Sequence, residues 1–165
     1  MEKQLQELCA NHHAEYQGFR EISGFHKILV SAENLHALLS ELYQNDNLCC
    51  DFLQCLNAEH LPSQQPLIRM NYFLDSFRSR CKVHVLCSQP IPEDHALPEF
   101  PSVGGLWHTA FWHEREAAEL FGIAFTGHPD LRKLLLPADW KGFPLRKDYQ
   151  PEEKYHGLKI KYERE

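Results

Sequence analysis

The sequence predicts an α+β fold: a small mostly antiparallel sheet with helices packed on one face, followed by an extended C-terminal arm. Three observations carry this. Short β-rich runs recur at 27–30, 48–56, 68–74 and 81–87; helical spacing of apolar residues appears at 2–11, 31–44 and 106–121; and neither period survives beyond Pro137. The expected division is a body over residues 1–125 and an arm over 126–165.

Leu5, Leu8 and Cys9 give residues 2–11 an amphipathic helical pattern. Lys27-Ile28-Leu29-Val30 reads as a strand entered through Gly24, and Ser31 caps a helix with Glu33 in its first turn. Leu35, Leu38, Leu39 and Leu42 lie on one face of that helix, and Asn45-Asp46-Asn47 ends it. Leu48–Leu56 reads as the next strand and Leu61–Pro66 as a polar loop. Ile68–Leu74 and Cys81–Cys87 flank a turn at Asp75-Ser76-Phe77-Arg78, which predicts a hairpin. Pro90, Pro92, Pro98 and Pro101 make Gln89–Gly105 an irregular connector. A helix over about 106–121 follows, with Gly122 placed for a C-terminal cap. Ile123-Ala124-Phe125 is a short strand and Gly127-His128-Pro129 a turn.

The arm carries Trp140, Phe143, Leu145, Tyr149 and Tyr155, too apolar for an idle solvated tail. Fully extended, about 25 residues reach roughly 80 Å, against a radius of gyration of about 14 Å for the body. The arm either wraps the body or leaves it, and its composition favours a seat on another protein.

At 165 residues, 43% hydrophobic and 24% charged, the chain is one domain's worth of soluble globular sequence. No apolar run reaches the roughly 18 residues of a membrane span. The first residues resemble neither a secretory signal nor a transit peptide, which points to the cytosol. The formal charge of −6 argues against nucleic acid. Residues 1–129 hold 8 basic and 16 acidic groups and residues 130–165 hold 9 and 7, so a mildly basic tail follows an acidic body. That asymmetry suits a protein partner. The six cysteines contain no C-x-x-C pair and read as reduced, buried thiols.

Candidate chemistry is sparse. His113-Glu114 begins a zinc-protease motif, but position 117 is Ala and the second ligand is missing. The Gly-rich phosphate loop, the nucleophile elbow and the dinucleotide fingerprint are all lacking. Glu114 falls inside an apolar stripe of Trp107, Phe111, Ala118 and Phe121, where a carboxylate must be paired or protonated. Arg132, Arg146, Lys147 or His128 could pair with it as a latch on the arm; a rim position or a catalytic acid are the other readings. Arg115 and Glu119, at i and i+4, are expected to form a surface pair.

The run Glu114-Arg115-Glu116-Ala117-Ala118-Glu119-Leu120-Phe121-Gly122-Ile123, followed by Gly127-His128-Pro129-Asp130-Leu131-Arg132-Lys133-Leu134-Leu135, resembles the signature of the thirty-kilodalton subunit of respiratory complex I. This is the C subunit of bacterial NADH:quinone oxidoreductase. The stretch Leu136–Tyr149, with Trp140, Pro144, Arg146, Lys147 and Asp148, looks like the family's second hallmark. Gln150 departs from it, since the family usually has proline directly after the tyrosine and here Pro151 comes one place later.

The resemblance implies a non-catalytic subunit of the hydrophilic, peripheral arm, on the cytoplasmic side of the bacterial inner membrane. Its neighbour would be the large chain related to the hydrogenase large subunit, which forms the quinone site with a small iron–sulfur subunit. FMN, iron–sulfur clusters and quinone would belong to partner subunits, and the whole complex would couple electron transfer from NADH to proton translocation. Glu114, Arg115, Glu116, Glu119, Gly122, His128, Asp130, Arg132, Trp140, Pro144, Arg146, Lys147, Asp148 and Tyr149 are then the signature and docking residues. Energy-converting hydrogenases and formate hydrogenlyase share this module, but the Gly127–Arg132 run is closer to the respiratory type.

Overall fold

Leu5, Leu8 and Cys9 bury one side of helix α1 (Glu2–Asn11), and Cys9 and Ala10 carbonyls hold the turn that follows. The structure is a computed structural model and describes residues 1–94 and 96–159. Strand β1 (Glu15–Arg20) comes next, although its sequence gives no strand signal: Gly18 sits at φ +86° and the register slips between Tyr16 and Phe19. A bulge of that kind breaks the two-residue alternation from which strands are read. β2 (Phe25–Val30) and α2 (Ala32–Gln44) lie where expected, with Leu35, Leu38, Leu39 and Leu42 fully buried.

β3 (Phe52–Leu61) starts and ends later than expected. Asn45 Oδ1 accepts the Asn47 and Leu48 N–H groups and Cys49 adopts φ +45°, so residues 45–51 form a turn. β4 (Leu67–Asp75) and β5 (Lys82–Pro90) form the expected hairpin. Together these strands make a five-stranded sheet in the order β1-β2-β5-β4-β3, antiparallel throughout except for the parallel pair β2·β5.

One cross-strand row, Tyr16, Ile28, Val85, Tyr72 and Leu56, marks the face turned to the core. Leu residues of α1 and α2 meet it there, joined by Ala110 and Ala117 of α3 (Ala110–Phe121). Residues are buried at both periods because the helices lay their stripes onto one pleat face.

The connector is more ordered than expected. β6 (Glu99–Pro101) pairs in parallel with β7 (Ala124–Thr126), one on each side of α3 in sequence. α3 also begins at Ala110 rather than near 106, because Leu106 and Trp107 N–H groups turn back onto the Val103 carbonyl. Gly122 ends it at φ +67°, in the left-handed conformation that glycine adopts freely.

From Gly127 to Glu153 the chain is irregular, and residues 131–149 of the expected extended arm lie along their own body instead. Near the end, β8 (Lys154–Tyr155) and β9 (Leu158–Lys159) form a small hairpin that the sequence did not predict. His156 and Gly157 both take positive φ there, which suits a two-residue hairpin turn. Residues 160–165 of the expected arm lie outside the described residues.

Candidate functional site

Every signature residue belongs to α3 or to the segment that returns across it. At its inner face, Glu114 is 1% exposed. Its carboxyl accepts Ser102 Oγ–H at 2.6 Å and the Val103 N–H at 2.7 Å. Burial pushes its pKa up, and those two hydrogen bonds and His128 offset part of the shift. Of the cationic partners expected from the sequence, only His128 approaches, with Nε2 at 3.8 Å. The main latch therefore runs back to the connector, through a hydroxyl and a backbone amide. His128 is itself tied at both nitrogens: Nδ1 accepts the Asp130 N–H and Nε2–H donates to the Phe111 carbonyl.

The outer face of α3 holds the returning segment by its backbone. Glu119, 7% exposed, accepts the N–H groups of Leu134, Leu135 and Leu136 at 2.8–3.2 Å. Arg115 donates to the carbonyls of Arg132 and Lys133. The expected Arg115–Glu119 surface pair is therefore absent, since each side chain satisfies backbone groups of the loop instead. Lys133 donates to the carbonyls of Pro137, Ala138 and Trp140. At the helix C-terminus, Arg146 donates to the Phe121 and Gly122 carbonyls, where the helix dipole favours a cation. A Cβ at Gly122 would lie 2.4 Å from the Phe143 ring, so this close approach needs glycine. Leu145 N–H reaches the Leu120 carbonyl, and Lys147 N–H reaches Nδ1 of the buried His60.

The remaining signature residues line the outside. The Arg132 guanidinium forks onto Asp130 and holds its carboxyl well below the usual carboxylate range. Trp140 stands 5.7 Å from Tyr155, and Tyr149 closes over Gly142. Asp148 reaches to 3.8 Å from His60 Nδ1 while staying 66% exposed. Glu116 and Lys147 point to solvent, and Pro144 is half-buried. Sequence reasoning did not single out His60, Ser102 or Lys133. His60 and Lys133 act with backbone groups and Ser102 with a carboxyl far along the chain, and such contacts leave no residue-type pattern.

No cluster of three or more His, Cys, Asp or Glu side chains is arranged to hold a metal among the described residues. The His113-Glu114 pair separates, with Glu114 inside and His113 beside an open cleft. All six cysteines are free thiols, four of them buried, and burial pushes Cys9 up to about 11 and Cys87 up to about 12.

The model of the family described as respiratory-chain NADH dehydrogenase, 30 Kd subunit, matches residues 28–155. The chain belongs to this family. The match runs from β2 through the hairpin, α3 and the returning segment, so it covers both signature stretches. Among relatives of this 30 kDa subunit family, the C subunit of the NADH-quinone oxidoreductase of Chlorobium phaeobacteroides is 46% identical over 116 residues, 68% of this chain and 65% of that protein. The Chloroherpeton thalassium protein of the same name is 42% identical over 120 residues, 72% of this chain and 48% of that one. This 30 kDa subunit chain thus spans between about half and two thirds of those relatives.

A solved structure of Nqo5, its trypsin-resistant fragment 1–134, superposes with a TM-score of 0.55 at 25% identity, covering 79% of this chain and 98% of the fragment. A chain of an archaeal membrane-bound sulfane sulfur reductase gives a TM-score of 0.67 at 20% identity, over 90% of this chain and 85% of that one, and shares the fold.

Proposed function

We propose that this chain is a structural and assembly subunit of the peripheral arm of a proton-translocating NADH:quinone oxidoreductase, without catalytic residues of its own. One observation carries the reading: the family match is continuous from β2 to β8 and includes the whole α3 platform. The names of the relatives favour a quinone-reducing complex over a hydrogenase.

In this reading FMN, iron–sulfur clusters and quinone sit on neighbouring chains, and the neighbour in direct contact is the large quinone-site subunit. The polar groups of Glu119, Arg115 and Arg146 are spent inside the chain, which leaves a rigid surface carrying exposed Lys147 and Asp148 and half-buried Tyr149 for that neighbour. Removing one member of a charge pair desolvated at such a junction costs about 2–5 kcal/mol. No helix among the described residues is long and apolar enough to cross a membrane. Membrane attachment is then through the complex, on the cytoplasmic side.

The test is a native gel of mildly solubilised membranes from cells carrying a tagged chain. The tag is expected to migrate with an NADH-oxidising band of several subunits. Migration as a free small protein, or with a nickel-containing large subunit, contradicts the proposal.

A further inference from the structure

β3 is the last strand in the sheet order, and among the described residues no backbone group pairs with its outer side. Beside that edge lies a cavity of about 170 Å³. Its sheet wall is Leu56, Asn57 and Ala58, three consecutive residues. Leu56 and Ala58 share one pleat face and Asn57 the other, and β3 is the last strand of the sheet, so the space lies at the sheet's margin. The opposite wall is His113, Glu116, Ala117 and Leu120, the i, i+3, i+4, i+7 face of α3. Leu145, 49% exposed, closes one end.

We propose that this edge receives an extended segment of a neighbouring polypeptide, which adds as a sixth strand beside β3, sinks one aliphatic side chain into the cavity and sets a lysine or arginine against Glu116. Strand addition between a sheet edge and a helix supplies main-chain hydrogen bonds for affinity and a pocket for specificity. An apolar cavity of about 150 Å³ takes a ligand the size of benzene, so this one holds a single Leu- or Ile-sized side chain.

Charge identifies the occupant. Glu116 is exposed and makes no ion pair among the described residues. Further along the same strand, His60 Nδ1 accepts the Lys147 N–H, which sets Asp148, 66% exposed, 3.8 Å from that nitrogen. Glu116 is the one acidic side chain among the residues lining the groove, and no lysine or arginine lines it, while at the far end the exposed Asp148 is balanced by the exposed Lys147. A basic strand is the complement. The inference rests on the chain's place in a multisubunit complex, which supplies the neighbour.

The test compares hydrogen–deuterium exchange of residues 54–58 in the full chain alone and in the complex purified from membranes. The amides facing away from β4 are expected to exchange at least tenfold slower in the complex. In complex carrying Glu116→Lys that protection is expected to drop, with β4 amides 68–74 unchanged as the folding control. A benzoylphenylalanine placed at Asn57 is expected to couple to a peptide of the large neighbouring subunit bearing an aliphatic residue next to a lysine or arginine. Equal exchange in both states overturns the proposal. So does protection already present in the isolated chain, which would mean that its own residues fill the edge, or coupling to a second copy. A chain recovered in the complex with unprotected β3 amides removes the groove alone, whereas a chain recovered in no complex removes the subunit reading and the groove with it.

Discussion

Glu114 shows how one residue can be legible in sequence while its partners are not. Its place in an apolar stripe identified an enclosed carboxylate. Its partners, a hydroxyl and a backbone N–H at Ser102 and Val103, lie in a proline-rich stretch with no period to mark them. Glu114→Ala leaves both donors unpaired inside the protein and is expected to cost about 1–3 kcal/mol in denaturant unfolding. Because burial raises the folded pKa above the ordinary value of 4.5, ionisation opposes folding as pH climbs from 4.5 through the raised value. Unfolding curves of the wild type and Glu114→Gln, taken between pH 4 and 7.5, are expected to show the Gln variant gaining relative stability as pH increases; a difference that stays flat refutes this. His84 behaves oppositely on the outer sheet face, stacked 4.1 Å from Phe73 and bonded to Asn71. Burial, with Lys27 next in importance, lowers its pKa to about 4. The unfolded chain takes up that proton first, so this contribution to stability is lost as pH falls from about 6.5 towards 4. An NMR titration is expected to find the His84 ring neutral at pH 5.5.

At the scale of elements, α3 is both a wall of the core and the frame on which the returning segment is laid. The helix and its Gly122 cap could be read from periodicity and from the glycine itself. The return of residues 131–149 could not, because Glu119 and Arg115 bind backbone N–H and C=O groups, which every residue type offers. β6 and β7 were hidden for a related reason: three-residue strands gain their order from a pairing across 25 positions of sequence, not from local pattern. Glu119→Ala is expected to free the Leu134–Leu136 amides, raising their hydrogen exchange at least tenfold and lowering stability by about 1–3 kcal/mol. Unchanged exchange there would show that the carboxylate is not the clamp. Gly122→Ala forces a side chain into a left-handed site, at roughly 1–2 kcal/mol, and into the Phe143 ring. Faster tryptic cleavage after Lys133, Arg146 and Lys147 is the expected sign that the segment has come loose.

For the whole molecule, the fold class was legible because the central strands and α2 carry clean periods, and the antiparallel hairpin follows from a turn of ordinary composition. The path of the C-terminal third was not, since apolar content alone does not say whether a segment covers its own body or another. The structure answers for residues 131–149, which cover α3 and thereby present a preformed surface. This changes what a truncation should do. Ending the chain after Pro137 would strip Phe143, Leu145 and Arg146 from α3 and damage the body itself, whereas ending it after Gln150 spares every contact of that segment with α3.

The central claim, that the chain works by holding a quinone-reducing complex together, is tested most directly by NADH-driven quinone reduction in membranes. Membranes from cells lacking the chain are expected to show less than a tenth of the normal rate, restored by re-expression of the full chain, while the purified chain alone oxidises no NADH. An undiminished rate in its absence would contradict the account.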